Sequence, residues 1–230
     1  MAVSFTLLST PVASTANQST AYTGTAGTAQ AGEVLISFVS VSGNTTAGTM
    51  AGGSLTWTLV TSGLKNTNAD FCAVYWAYAA STVSVTPSYT PSAAATGCII
   101  IVTRVAGATS TSSALNLTQT AVTATGTTAN PTITFGAATN TSNGVLVLVA
   151  NGTNSTTQFT APTGFTELSE VAFNTPTNGA EVAYRISGAT ATTYTWTNAN
   201  TTSWRSFGLE FTAVPVTSFD PMGMMGFFGM

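Results

Sequence analysis

The chain has 230 residues, of which 44% are hydrophobic and only 5% are charged, and its formal net charge is −3. This apolar content is sufficient for packed cores and excludes a chain that is disordered throughout. The four Lys and Arg residues are scattered, whereas a nucleic-acid-binding surface needs clustered cations, so we expect no nucleic-acid partner.

Short apolar runs bounded by turn residues predict β-strands along the whole chain. Alternating apolar and polar residues predict strands near residues 3–8 and 55–59. The densest run of the first half, residues 32–41 (GEVLISFVSV), returns in the second half as residues 143–150 (NGVLVLVA). Runs of this kind are typical of strands that are buried on both faces. No window has the period and the caps of a long helix.

The strand pattern of the first half repeats in the second half at an offset of about 110 residues, roughly one domain length. The paired segments are 57–60 with 165–168, 74–77 with 183–186, 82–86 with 193–197, and 98–102 with 207–211. We therefore predict an all-β chain of two tandem β-sandwich domains, of jelly-roll or Greek-key topology, related by internal duplication. The first copy spans 1–109, the second spans 110–216, and a short apolar tail spans 217–230.

The tail combines methionine, phenylalanine and glycine, and this composition makes a poor helix. Methionine and phenylalanine on a flexible backbone adapt well to an apolar groove, so we predict docking into a neighbouring subunit or another protein. Folding back onto its own domain and contact with a membrane are the alternatives. The residues predicted to dock are Met222, Met224, Met225, Phe227, Phe228 and Met230.

Several kinds of catalytic or metal chemistry lack the residues that they need. There is no His, which removes the usual nucleophilic triads and most zinc sites. Glu167 and Glu170 are three residues apart, so on a regular strand they would point to opposite faces. We predict a protein that is not an enzyme and has no catalytic, cofactor-binding or metal site. Glu181 and Glu210 fall in predicted strands with two arginines nearby in the sequence. We expect a structural ion-pair cluster rather than a catalytic site, made of Glu181, Glu210, Arg185 and Arg205.

Aromatic residues and cysteines leave two questions open. Trp196 and Trp204 flank the loop 198–202, and they are the pair that we would choose for stacking on a sugar if any tryptophans are exposed at a sandwich tip. The stronger alternative is that most aromatic residues fill the cores.

Cys72 and Cys98 fall in predicted strands, where buried free thiols are favoured over a disulfide.

The first ten residues, MAVSFTLLST, have no basic residue and no long apolar run, so they lack the pattern of a secretory signal. No stretch has the roughly 18 apolar residues of a membrane span. We therefore expect a protein that stays in the cell that makes it or leaves by lysis or a dedicated machine.

The strand motifs of both copies resemble β-sandwich structural proteins of phage and prophage virions. The resembling segments are the central strands GEVLISFV and GVLVLVA, a Trp-Thr or Phe-Thr strand after glycine, VAYRISGAT, TYTWT and a closing apolar strand. This resemblance implies capsid decoration proteins, head or tail fibres, or receptor-facing modules, assembled in the host cytoplasm and released by lysis without a signal peptide. It assigns no functional residue.

The first hypothesis is therefore a non-enzymatic virion structural protein, a capsid decoration or auxiliary protein or a fibre-type protein. Its partners would be other virion proteins or copies of itself. The alternative is an extracellular adhesin or carbohydrate-binding module that uses exposed aromatic residues, with a surface glycan as ligand. A capsid subunit proper is a third possibility, which the sequence does not separate from decoration.

Overall fold

The computed structural model describes residues 2–65, 70–152, 159–175, 177–197 and 203–215. Within these ranges the chain contains strands and no helix, and every strand pair is antiparallel. The predicted all-β class is confirmed, and the packed antiparallel sheets are consistent with a β-sandwich.

Eleven strands precede residue 107. They are β1 (Ser4–Leu7), β2 (Val12–Ser14), β3 (Tyr22–Thr23), β4 (Gly27–Ala29), β5 (Glu33–Ser42), β6 (Thr49–Ala51), β7 (Thr58–Leu64), β8 (Asp70–Ala79), β9 (Val83–Val85), β10 (Ser88–Thr90) and β11 (Gly97–Ala106). Seven strands follow. They are β12 (Val122–Gly126), β13 (Thr132–Thr134), β14 (Gly144–Asn151), β15 (Thr166–Phe173), β16 (Asn178–Arg185), β17 (Thr193–Thr195) and β18 (Trp204–Phe211).

Two large sheets form the centre of the molecule. The first main sheet has the strand order β1-β11-β5-β8-β7, with β2 also paired to β11. The second main sheet has the order β12-β18-β14-β16-β15. Three small sheets, β3-β10-β6, β4-β9 and β13-β17, complete the described structure.

The central strands β5 and β14 are buried along their whole lengths, as the dense apolar runs predicted. Successive side chains of a strand point to opposite faces, so each of these strands serves two cores. In β5, Ile36 and Phe38 point toward the second main sheet, whereas Leu35 and Val39 point toward the small sheets of the first half. A continuous apolar run, rather than an alternating one, is what a doubly covered strand requires.

One apolar core lies between the two main sheets, and we call it the shared core. Phe38 of β5 packs edge-on against Phe207 of β18, with ring centroids 5.8 Å apart. Phe5 of β1 contacts Tyr184 at 5.3 Å and Phe211 at 5.8 Å. Residues from both halves of the chain therefore lose their solvent contact together, which couples the stability of the halves.

Two outer cores lie on the other faces of the main sheets. Tyr22, Met50 and Tyr89 of the small sheets cover the first main sheet. Ile133 and Trp196 belong to the core that covers the second. The described part of the molecule is thus built as successive β-layers, with the shared core in the middle.

Several short strands lie in segments that lack apolar runs. Residues 11–32 and 42–53 are rich in small and polar residues, and they hold β2, β3, β4 and β6. In the other direction, Leu55 and Trp57 precede β7, which begins at Thr58. Two- and three-residue strands form by pairing with distant segments, so the local alternation of a polar sequence does not reveal them.

Both cysteines are buried free thiols, which confirms the favoured interpretation. Burial raises the pKa of Cys72 and of Cys98 above the usual thiol value, so both remain protonated.

Among the described residues there is no helix with the length and apolar character of a membrane-spanning segment.

Candidate functional site

The two tryptophans chosen for sugar stacking are buried, so that part of the prediction is wrong. Trp196 is 0% exposed and Trp204 is 4% exposed. Each indole N–H donates a hydrogen bond inside the protein, from Trp196 to Glu181 Oε1 at 2.9 Å and from Trp204 to the carbonyl of Thr128 at 3.1 Å. The rings fill apolar space while their polar edges are satisfied, as the alternative interpretation expected. The intervening loop 198–202 lies outside the described residues.

The predicted docking tail, Met222 to Met230, also lies outside the described residues. Its proposed role therefore stays a prediction.

The predicted ion-pair cluster is wrong, because β14 lies between β16 and β18 and separates Glu181 from Glu210. Glu210 instead accepts hydrogen bonds from Gln119 Nε2 at 2.6 Å, from the backbone N–H of Asn140 at 2.7 Å and from Asn143 Nδ2 at 2.9 Å. This carboxylate ties loops to the sheet rather than pairing with a cation.

The arginines of that predicted cluster bind backbone carbonyls. Arg185 donates to Ser187 O at 3.0 Å, and Arg205 donates to Leu64 O at 3.0 Å. Within the described ranges, the one ion pair joins Arg104 to Glu33 at 2.7 Å.

Three glutamates meet at one face of the second main sheet, and we call them the glutamate triad. They are Glu167 and Glu170 on β15 and Glu181 on β16, and one carboxylate oxygen from each lies within 4.8 Å of the others. The register of β15 against β16 shifts between Glu167 and Ser169, so Leu168 is the additional residue of a β-bulge. The bulge shifts the alternation of side chains along β15 by one residue. Glu167 and Glu170 therefore point to the same face, although they are separated by three positions. The expectation that they point to opposite faces is therefore wrong.

The triad runs from solvent into the protein. Glu167 is exposed, Glu170 is half-buried and Glu181 is 0% exposed. Glu170 and Glu181 are direct cross-strand partners, an arrangement that is unfavourable when both are ionised. Glu170 Oε1 accepts a 2.8 Å hydrogen bond from the backbone N–H of Phe159.

The electrostatics of the triad favour a protonated Glu181. Burial, supplemented by the charges of Glu167 and Glu170, raises the pKa of Glu181 to about 8, although the Trp196 hydrogen bond acts in the opposite direction. Burial also raises the pKa of Glu170. Within the described part of the chain, Glu181 Oε2 is buried and has no hydrogen-bond partner. A proton or a cation at this oxygen would relieve the repulsion.

The triad could hold a hard divalent cation, because carboxylate oxygens are the ligands that such ions prefer. Oxygens on opposite sides of a Ca²⁺ ion lie about 4.6–5.2 Å apart, and those of Mg²⁺ about 4.0–4.2 Å apart. The three oxygens lie within 4.8 Å of one another, which is within the width of a calcium coordination sphere. Calcium accepts irregular coordination, whereas magnesium demands near-ideal octahedral geometry. The sequence offered these three of the seven carboxylates close together in the chain, but the regular period of a strand concealed their common face.

A groove of about 430 Å³ is lined by the partly buried aromatic residues Trp76 and Tyr78 of the first main sheet. Trp76 and Tyr78 are separated by one residue on β8, so their side chains lie on the same face of the sheet. Leu55, Thr58 and Val83 also line the groove. Trp76 and Tyr78 could therefore contact a ligand in this groove.

Comparisons with protein-family models, with curated proteins and with solved structures each found no match. The function is therefore inferred from the residues of this chain alone.

Proposed function

We propose that the chain is a non-enzymatic structural protein of a virion, most simply a capsid decoration or auxiliary protein or a fibre-type protein. The observation that carries the structural role is the shared core, in which both main sheets bury one face against each other. Such packing ties the two halves into one rigid body, which suits a building block. The virion assignment itself comes from the resemblance of the strand motifs.

We further infer that the two halves are copies of one sandwich. Matching strands occupy matching places, since β11-β5-β8-β7 in one sheet corresponds to β18-β14-β16-β15 in the other. Each edge strand also carries a register shift at the same point, between Leu59 and Thr61 in β7 and between Glu167 and Ser169 in β15. The residues skipped, Val60 and Leu168, are equivalent in the sequence repeat. Bulges are inherited features of a fold, so a common position supports duplication.

The charged groups support a structural role without a nucleic-acid partner. Each of the four cations is engaged within the protein rather than gathered on one surface. Lys65 is buried, Arg104 pairs with Glu33, Arg185 binds the carbonyl of Ser187, and Arg205 binds the carbonyls of Ser62 and Leu64.

Assembly through the apolar tail is the part of the proposal that can be tested on the purified chain. Light scattering would give the mass of the full chain and of a chain stopped after Val216. We expect a defined oligomer or particle from the full chain and a monomer from the shortened chain. Equal monomeric masses at every concentration would overturn self-assembly through the tail.

The second candidate is a carbohydrate-binding module or adhesin, and the groove beside Trp76 and Tyr78 favours it. Sugars stack on the faces of aromatic side chains, and Trp76 and Tyr78 are the aromatic residues that line this groove. A glycan screen separates the candidates. Binding that is lost in Trp76→Ala and kept in the chain stopped after Val216 would favour the module, whereas no binding would favour the virion protein.

A further inference from the structure

A lysine and an asparagine meet in the buried space between the two main sheets. Lys65 directly follows β7 of the first sheet, and Asn178 begins β16 of the second. Both residues are 0% exposed. The Lys65 Nζ atom donates a 2.6 Å hydrogen bond to Asn178 Oδ1. The contact joins residues 113 positions apart, and it joins the two halves of the chain.

The carboxamide of Asn178 is held by further partners. Ser40 Oγ also donates to Asn178 Oδ1, at 3.0 Å, and the amide nitrogen of Asn178 donates to Ser42 Oγ at 3.3 Å. Two donors on one carbonyl oxygen draw electron density from the carbonyl carbon, Cγ. Since a C=O bond measures about 1.23 Å, Lys65 Nζ lies no more than about 3.8 Å from Cγ. This is close to the near-attack separation of reacting atoms.

The surroundings favour the neutral amine of Lys65. Among the described residues no carboxylate lies within ion-pair distance of it, since the one ion pair there is Arg104 with Glu33. Burial lowers the pKa of Lys65, although the nearby Cys72 and Asp70 act in the opposite direction. A neutral amine has a free electron pair, and desolvated lysines are nucleophiles for that reason.

We propose that Lys65 and Asn178 react with each other to form an intramolecular isopeptide bond between the two main sheets. The Lys65 Nζ atom attacks Asn178 Cγ, an Nζ–Cγ bond forms, the Cγ–Nδ2 bond breaks, and ammonia leaves. The proton lost by the amine passes to the departing nitrogen, so no oxidant, reductant or further reactant is required. Ser40 Oγ donates to the oxygen on which negative charge develops.

Asp70 can assist the proton transfer through one bridging water, since its carboxylate lies beyond ion-pair distance of Lys65 Nζ. Its charge acts on Lys65, its backbone carbonyl accepts from the Lys65 N–H at 2.9 Å, and within the described ranges its buried Oδ2 has no hydrogen-bond partner. Through that water the carboxylate can take a proton from the amine and return it to the leaving group. The bond would close a long loop and restrict the unfolded chain, as a disulfide does for distant residues. This goes beyond the proposed function and does not depend on it.

Mass spectrometry of the denatured full chain tests the proposal directly. We expect an intact mass that is lower than the sequence mass by one ammonia. A succinimide at Asn178–Gly179 would lose the same mass, so a tryptic digest is needed as well. Trypsin cleaves after the four cations, Lys65, Arg104, Arg185 and Arg205. An isopeptide bond blocks cleavage after Lys65 and leaves residues 1–104 joined to residues 105–185.

The Lys65→Met variant is the matched control, because it also lacks the cleavage after position 65. It is expected to have its full sequence mass and to release 1–104 and 105–185 as separate peptides. Asn178→Ala is expected to have its full mass and to be cleaved after Lys65. Ser40→Ala and Asp70→Asn are expected to slow the loss of ammonia in freshly made protein. A wild-type chain with its full mass, or one that is cleaved after Lys65, overturns the proposal even if every variant fails to fold.

Discussion

Glu170 and Glu181 face each other directly across the pair of strands β15 and β16, although both are acids. Glu181 is fully buried, and the indole N–H of Trp196 binds one of its oxygens. Two ionised carboxylates in this arrangement would repel each other strongly in a partly dry environment. The repulsion between the two carboxylates is therefore relieved only when Glu181 holds a proton or when a cation lies between them.

Glu181→Gln is expected to stabilise the protein at neutral and alkaline pH. The folded pKa of about 8 lies above the unfolded value, so the stability that Glu181 contributes is fully present below the unfolded pKa and is lost as the pH rises toward and through 8. The loss is at most about 1.4 kcal/mol per pH unit. Glutamine keeps an acceptor for Trp196 and has no charge to bury.

Melting temperatures at pH 5, 6.5 and 8 provide the measurement (about the range between the unfolded and folded pKa values). The wild type should lose stability across this series, and Glu181→Gln should lose less. Glu167→Gln, at the exposed member of the triad, serves as the control with a small effect. Parallel curves for the wild type and Glu181→Gln would contradict a buried, titrating Glu181.

Calcium is expected to raise the melting temperature of the wild type at pH 8, because a ligand that binds the folded state stabilises it. Magnesium should act more weakly, since it demands near-ideal octahedral geometry and loses its bound water reluctantly. Glu181→Gln should abolish the calcium effect and Glu167→Gln should reduce it. Titration calorimetry provides the affinity. An equal calcium shift in the wild type and in Glu181→Gln would place any bound ion elsewhere.

Leu148→Ala is expected to destabilise the whole chain, because Leu148 is 1% exposed and lies in the shared core. Loss of a buried leucine side chain costs about 2–5 kcal/mol. Leu59→Ala is the matched control, since Leu59 is 43% exposed and should cost about 0.5 kcal/mol or less. Urea unfolding followed by tryptophan fluorescence and by circular dichroism should give coincident curves for both variants. Two separate transitions would show that the halves unfold independently.

The thiols of Cys72 and Cys98 are expected to be unreactive in the folded protein. Both are fully buried, and burial raises the pKa of each thiol, so little nucleophilic thiolate is available. A colorimetric thiol reagent should detect no thiol in native buffer and both thiols in denaturant. Rapid labelling of folded protein would contradict the described packing.

The doubly buried central strands could be predicted from the sequence because their composition directly reflects their surroundings. In residues 34–36 and 145–149 no polar residue interrupts the apolar run, and only a strand covered on both faces tolerates that pattern. The free cysteines followed from similar reasoning about buried residue types.

The glutamate triad and the Lys65–Asn178 contact could not be predicted, because both depend on long-range pairing. The common face of Glu167 and Glu170 arises from the bulge at Leu168, which is defined only by the register against β16. Lys65 reaches its partner only because the two main sheets pack face to face. The exposure of Trp196 and Trp204 likewise depends on which layer covers them.

The most direct measurement of the proposed role is the recovery of the chain in particles. Lysate from the organism that makes the protein would be separated on a density gradient, and each fraction would be probed with an antibody against the chain and viewed by electron microscopy. We expect the chain to be found with virion-sized particles and to stay with them after a high-salt wash. Recovery only in fractions without particles would contradict the proposed virion role.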